Sequence, residues 1–368
     1  MHHRFFRPAI LSLAAALASL PLVSAARAGD FSAEYVFGDS LSDNGNLAEL
    51  LNVEGLISGN FPNPPSFHDS FTNGPVAVAG LAQNLGLSLT PSLWVTGFKD
   101  PAGLFGGPSF VPGTNYAVAG ALSATPSPVS INLLSQVGAY DAYTSGHADP
   151  DALYVIMIGG NDVRDVALDG TGEAAVTAGV DAELAAISTL SGEDAKHFLV
   201  VNVPNVGIIP EFAQDNPTLA ASATAYSQLY DSELAAGLAS LDPTLGAGST
   251  LQAFDLYNFN ANILANAASY GLTDTTDRCF TDTPLSAATS SACGPGAENI
   301  DSFVYWDDIH PTKTVQALWA AGFTLAVPEP STWAMLLIGF GGLGLVRYQA
   351  RRASKALRTR AGRLNAAV

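Results

Sequence analysis

Three features predict an α/β fold in which helices cover both faces of a parallel sheet. Short β-rich runs recur at Glu34–Phe37, Leu153–Ile158, His197–Val203 and Thr250–Asp255, with a shorter one near Asn115–Val118. Alanine-rich stretches with apolar residues at helical spacing alternate with them, at Ala174–Leu190 and Leu219–Ser240, and another closes the pattern at Thr312–Leu325. The run from Leu153 to Ile158 is continuously apolar, as suits a central strand buried on both faces.

Residues 1–28 have the layout of a secretory signal peptide. Arg4 and Arg7 precede an apolar run from Ala9 to Leu22, and Ala26-Arg27-Ala28 forms an A-x-A cleavage pattern, so Gly29 is the expected first mature residue. Read instead as an anchor, that run is shorter than the ~20 residues a spanning helix needs. Residues 29–327 are enough for a single sizeable core. Long loops rich in Gly, Pro and Asn interrupt them, including Phe61–Pro65 and Gly97–Gly113. Loops of that length are functional or disordered, and in a doubly wound sheet they gather at the carboxyl ends of the strands, where ligands bind.

A second apolar run, Ser331–Val346, follows Val327-Pro328-Glu329-Pro330 and precedes Arg347, Arg351, Arg352, Lys355 and Arg358. Apolar then basic is how a short transmembrane helix with a cytoplasmic stop reads, here at marginal length. The tail divides into a segment over 328–353 and a basic remainder over 354–368.

Charge is distributed unevenly. Three of the 15 Lys+Arg lie in the leader and seven after Ser331, which leaves five between Gly29 and Pro330 against all 33 Asp+Glu, a formal −28. Such a surface repels phosphate backbones and anionic headgroups, and excludes nucleic acid as a partner. Cys279 and Cys293 are the two cysteines and flank a loop rich in Thr, Ser and Ala. In an exported chain they form a disulfide candidate, and closing a ~15-residue loop contributes about 3 kcal/mol; two free thiols are the other reading. Neither has histidines nearby at ligand spacing, so no metal site is expected.

The chemistry begins at Phe37-Gly38-Asp39-Ser40-Leu41-Ser42-Asp43-Asn44-Gly45-Asn46. A strand ending at Phe37 and a helix running on through Leu51, capped by Asp43 or Asn44, would set the Ser40 hydroxyl at the sheet's carboxyl edge. Its N–H would then lie at a positive helix end, suited to a developing oxyanion. Alone, such a serine is equally a turn residue or a cap. Six histidines occur; His2 and His3 leave with the leader, His197 opens a strand, and His68 and His147 lie in loops. His310 alone has carboxylates three and two residues before it, in Asp307-Asp308-Ile309-His310-Pro311. A carboxylate three back can reach the second imidazole nitrogen, fixing its tautomer and stabilising the imidazolium. The same segment also reads as an acidic turn capping the helix that begins near Thr312, a role that suits Asp308. Ile158-Gly159-Gly160-Asn161-Asp162 could aim the Asn161 amide into a site, and Asn115-Tyr116-Ala117-Val118-Ala119-Gly120-Ala121 could bring the Gly120 N–H close to a substrate.

In this order, these segments resemble the blocks of the GDSL/SGNH hydrolase family over nearly the whole stretch from Phe37 to Pro311. The resemblance implies a flavodoxin-like three-layer αβα sandwich with a parallel central sheet, without a G-x-S-x-G elbow, which this sequence lacks. By it, Ser40 matches the nucleophile, Asp307 and His310 the D-x-x-H pair, and Ser40, Gly120 and Asn161 the oxyanion hole. Phe71-Thr72-Asn73-Gly74-Pro75-Val76 is similar to a stretch of the lipase-like branch, while Ala119 stands where many relatives have a second glycine. The tail from Val327 resembles the PEP-CTERM sorting signal. That implies export to the cell envelope, surface or extracellular matrix of a Gram-negative bacterium, with a sorting enzyme as partner. The implied activity is carboxylic ester hydrolysis on a small-molecule or lipid ester, without metal or organic cofactor. A polysaccharide O-acetyl esterase and a catalytically silent surface protein are the alternatives.

Overall fold

Four strands, β1 (Glu34–Gly38), β2 (Leu153–Met157), β3 (His197–Val201) and β4 (Thr250–Phe254), lie parallel in the order β1-β2-β3-β4. In this computed structural model the described residues are 31–56, 66–95, 113–124, 130–280, 299–327 and 347–348. Each strand ends within two residues of the apolar run that predicts it, and all five residues of β2 are buried. The stretch Phe31–Val327 packs as one unit.

The helices are α1 (Asn46–Val53), α2 (Ala77–Asn84), α3 (Leu133–Thr144), α4 (Gly160–Asp169), α5 (Glu173–Gly192), α6 (Ala220–Leu241), α7 (Leu256–Ala265) and α8 (Lys313–Ala326). In-register residues share a sheet face, so Gly38, Met157, Val201 and Phe254 point one way. On that side Phe254 meets Phe323 of α8 edge-on at 4.9 Å, and α8 packs on α2. Tyr35, Phe37 and Tyr154 point the other way and surround Tyr140 of α3, with ring centroids 4.9, 5.8 and 5.9 Å away. This is the three-layer arrangement that the alternating pattern predicts. On the same principle α5 buries a stripe through Val176, Val180, Glu183, Ile187 and Leu190, and α6 one through Ala223, Ser227, Tyr230, Leu234 and Leu238.

Two details differ from the expectation. The segment at Asn115–Val118 runs beside β1, with Tyr116 N–H donating to Val36 O at 2.8 Å, but forms isolated bridges rather than a strand. Its other side is taken up by the 90–92 segment, where the Asn115 N–H donates to Thr90 O at 2.9 Å, and by the Asn46 amide, whose Nδ2 donates to the carbonyls of Asn115 and Ala117, both at 2.8 Å. A second small parallel sheet pairs β5 (Asp274–Arg278) with β6 (Phe303–Tyr305). Its first strand reads Asp-Thr-Thr-Asp-Arg, without apolar alternation, so no pattern announces it.

Cys279 is buried and disulfide-bonded; Cys293 lies outside the described residues. So do the leader, the loop at Phe61–Pro65, nearly all of Gly97–Gly113, and the apolar run Ser331–Val346 where the sequence suggests a membrane helix. Among the described residues no helix is long and apolar enough to cross a membrane.

Candidate active site

Where β1 ends, the chain turns through Asp39 and Ser40, and the turn is fixed from several sides. Asp43 serves as cap although it is not the residue adjoining α1. Its Oδ1 accepts the N–H groups of Gly45 and Asn46, both at 2.8 Å, and its Oδ2 accepts that of Leu47 at 3.1 Å. The same Oδ2 accepts the Ala119 N–H at 2.8 Å, tying the Gly120 loop to the Ser40 turn. Burial pushes the Asp43 carboxyl up to about 6 against the opposing pull of these four donors. Asn44 instead donates to Leu89 O and accepts from the Asn115 amide. Burial likewise raises Asp39, beside Ser40, to about 7.

From the far end of the sequence, β6 leads into Trp306–Pro311 and delivers His310. His310 Nε2 stands 2.7 Å from Ser40 Oγ, across 270 residues of chain. Its Nδ1 lies 2.8 and 3.0 Å from Asp307 Oδ2 and Oδ1. Asp307 Oδ1 also accepts the backbone N–H groups of Ile309 and His310, at 2.9 and 2.6 Å, so the tight turn itself orients the carboxylate. Ser40, Asp307 and His310 retain only 7%, 9% and 6% of their surface. The Phe71 ring lies 5.0 Å from the imidazole, Thr72 Oγ1 donates to Pro311 O, and the Lys313 N–H donates to Asn73 Oδ1. The Phe71–Val76 stretch thus braces the histidine.

Asp308 does not cap the last helix. The residue before α8 is Thr312, with no side-chain cap, and Asp308 turns the other way to pair with Arg278 of β5. Burial raises the Asp308 carboxyl and the Arg278 charge opposes that rise. Arg278 also binds Asp215 at 2.7 Å.

Ser40 and Asn161 line one narrow cavity of about 50 Å³, whose apolar walls come from Val206, Ile209, Val304, Ile309 and Trp319. Asn161 Nδ2 donates to Ala121 O at 3.0 Å, joining the start of α4 to the Gly120 loop. Gly120 itself is exposed and holds φ +82°, a backbone state that glycine adopts without strain. A hydroxyl on an imidazole whose other nitrogen faces a carboxylate can lose its proton as it attacks a carbonyl.

Residues 35–323 match the GDSL-like lipase/acylhydrolase family. The chain belongs to that family. As a GDSL-family α/β domain it is followed by a second match, to the PEP-CTERM protein-sorting motif, over residues 326–352. Among similar proteins, it is 26% identical to the anther-specific proline-rich protein APG of Arabidopsis thaliana, over 76% of this chain and 58% of that one. It is 32% identical to Lipase 1 of Photorhabdus luminescens, over 57% of this chain but 27% of the relative's length. With the GDSL lipase of Tanacetum cinerariifolium it shares 25% identity over 78% of this chain and 82% of that protein. The chain therefore spans little more than half of the Arabidopsis relative and about a quarter of the Photorhabdus one.

Proposed function

We propose that this GDSL-family chain is an exported carboxylic ester hydrolase working through an acyl-enzyme at Ser40. The observation that carries the reading is the continuous line from Asp307 through His310 to Ser40 Oγ, with contacts of 2.8 and 2.7 Å. His310 takes the Ser40 proton as Oγ attacks the ester carbonyl. The oxyanion is held by the backbone N–H groups of Ser40 and Gly120 and by the Asn161 amide. His310 then protonates the departing alcohol, and a water that gives its proton to His310 releases the acid; Asp307 stays ionised throughout. The names of the lipase relatives and the family match support ester hydrolysis.

The sorting motif supports export and attachment or release at a Gram-negative cell surface, with a processing enzyme as partner. In this reading residues 1–28 are the leader, 29–327 the hydrolase domain, 328–353 the sorting segment and 354–368 its basic tail. The sorting motif favours a second reading within the same chemistry, removal of acyl groups such as acetyl from a surface polysaccharide. The test is hydrolysis of p-nitrophenyl esters of rising chain length beside acetylated glycans, with Ser40→Ala as the control. Loss of turnover by several orders of magnitude in a folded Ser40→Ala protein is expected. Substantial turnover without Ser40 would sink the mechanism.

A further inference from the structure

Behind the Gly120 and Asn161 loops runs a buried line of hydrogen bonds that includes no member of the Ser40–His310–Asp307 line. Asp162, one residue after Asn161, accepts the Ser123 N–H at 2.9 Å through Oδ2. Ser123 Oγ stands 2.9 Å from Tyr230 Oη, and that phenol donates to Glu183 Oε2 at 2.8 Å. Ser123, Tyr230 and Glu183 have no solvent exposure and Asp162 is 7% exposed. The line therefore starts in the apolar seam of α5 and α6 and ends on Ser123, three residues after Gly120, and on Asp162, beside the cavity-lining Asn161.

The surroundings are shaped to it. Glu183 and Tyr230 occupy positions in buried helix stripes where an aliphatic side chain would close the α5–α6 seam equally well. Polar groups there cost stability unless they are paired, so the packing of the helices does not account for them. Gly159, in the turn before Asn161, has φ +100°, and a Cβ on it would stand 2.5 Å from Tyr230 Cζ. The turn is thus moulded onto the tyrosine ring. On the other loop, Ser123 follows Gly120 by three residues, and Ala121 between them accepts from Asn161.

We propose that Glu183 and Tyr230 are positioning residues for the oxyanion donors, holding Ser123 and Asp162, and through them Gly120 and Asn161, where the developing negative charge needs them. The inference rests on the acyl-enzyme reading of Ser40. Misplacing such donors by about an ångström costs on the order of a hundredfold in rate, so partial loosening is measurable without loss of the fold.

The experiment compares Tyr230→Phe, Glu183→Gln, Glu183→Leu and Ser123→Ala with wild type in the full exported chain. It reads kcat and KM on p-nitrophenyl acetate, and the affinity of a boronic acid that forms a tetrahedral adduct on Ser40. Tyr230→Phe keeps the ring against Gly159 and removes only the hydroxyl. It is expected to lower kcat about tenfold with KM unchanged, and to weaken the boronate by a similar factor. Glu183→Leu and Ser123→Ala should follow it. Glu183→Gln still offers an oxygen to the Tyr230 hydroxyl and should stay within about threefold of wild type. Wild-type kcat and boronate affinity in Tyr230→Phe and Glu183→Leu would overturn the proposal, whatever their urea midpoints. So would a Glu183→Gln protein as slow as Glu183→Leu. Ser40→Ala separates the two readings: turnover that survives it refutes the hydrolase mechanism, whereas unaffected Tyr230→Phe beside an inert Ser40→Ala refutes only the positioning role.

Discussion

The side-chain amide of Gln136 closes on both polar groups of Gly38. The Gly38 N–H donates to Gln136 Oε1 and Gln136 Nε2 donates to the Gly38 carbonyl, each at 2.8 Å, in full burial. A helix on one face of the sheet thus holds the last residue of β1, two positions before Ser40. We predict that Gln136→Leu, which leaves the Gly38 N–H unpaired, destabilises the domain by about 1–3 kcal/mol. Urea unfolding at fixed pH checks this; an unchanged midpoint would mean that the clamp contributes nothing net.

The two neighbouring carboxylates should behave oppositely on substitution. Asp307→Asn is expected to cut kcat by up to about 10⁴ through a misoriented imidazole, on the precedent of serine proteases. Asp308→Asn leaves His310 untouched and loses a half-exposed ion pair with Arg278, so its effect on kcat should stay within a few-fold. Rate constants for both at neutral pH, with circular dichroism to confirm folding, decide the matter. A larger loss in Asp308→Asn would reassign the carboxylate.

Asn161→Ala removes one proposed oxyanion donor together with the bond to Ala121. Turnover is expected to fall by about 10²–10³ with little change in KM, since the donor acts when charge develops on the oxygen. A rise in KM at constant kcat would instead make Asn161 a contact for bound substrate.

Stability should decline as pH rises from the acid side through neutrality. Burial pushes the carboxyls of Glu183 up to about 8 and of Asp39 and Asp231 up to about 7, whereas unfolded carboxyls ionise near 4. A raised folded value means that the stabilisation is complete below the unfolded value and is lost as pH climbs through the folded one. The unfolding free energy should therefore drop between about pH 5 and 8, and Glu183→Gln should flatten the upper part of that slope. Urea titrations at several pH values measure it; parallel curves for the variant and wild type would contradict the assignment.

Much of this architecture was legible because its signals are local. The buried strands β2 and β3 are apolar runs, and Asp307 and His310 are three residues apart on one tight turn, so sequence spacing carries both. The contacts that escaped are those between distant polar residues. Asp308 meets Arg278 thirty positions away, and nothing in Asp-Asp-Ile-His indicates it. Gln136 and Glu183 are not among the residues the sequence singles out, and the fold buries both. β5 is short and polar, so no alternation in it announces its pairing with β6. The sequence offers Asp43 or Asn44 as the cap; the fold uses Asp43, whose further bond to Ala119 depends on a loop 76 positions on.

The distance along the chain between Ser40 and His310 has a consequence for the protein's birth. The proposed nucleophile leaves the ribosome just after the first strand of the domain, and its base follows 270 residues later. Any partial chain that stops before His310 carries the Ser40 hydroxyl without that base. Even after His310 emerges, its turn is braced by Thr72 on Pro311 and by the Ala77 N–H on Gln316 of α8, so α8 must dock first. Synthesis runs from the N-terminus, and in the proposed mechanism reactivity arrives only with α8. In the proposed mechanism, a copy truncated before His310 lacks the base that Ser40 needs.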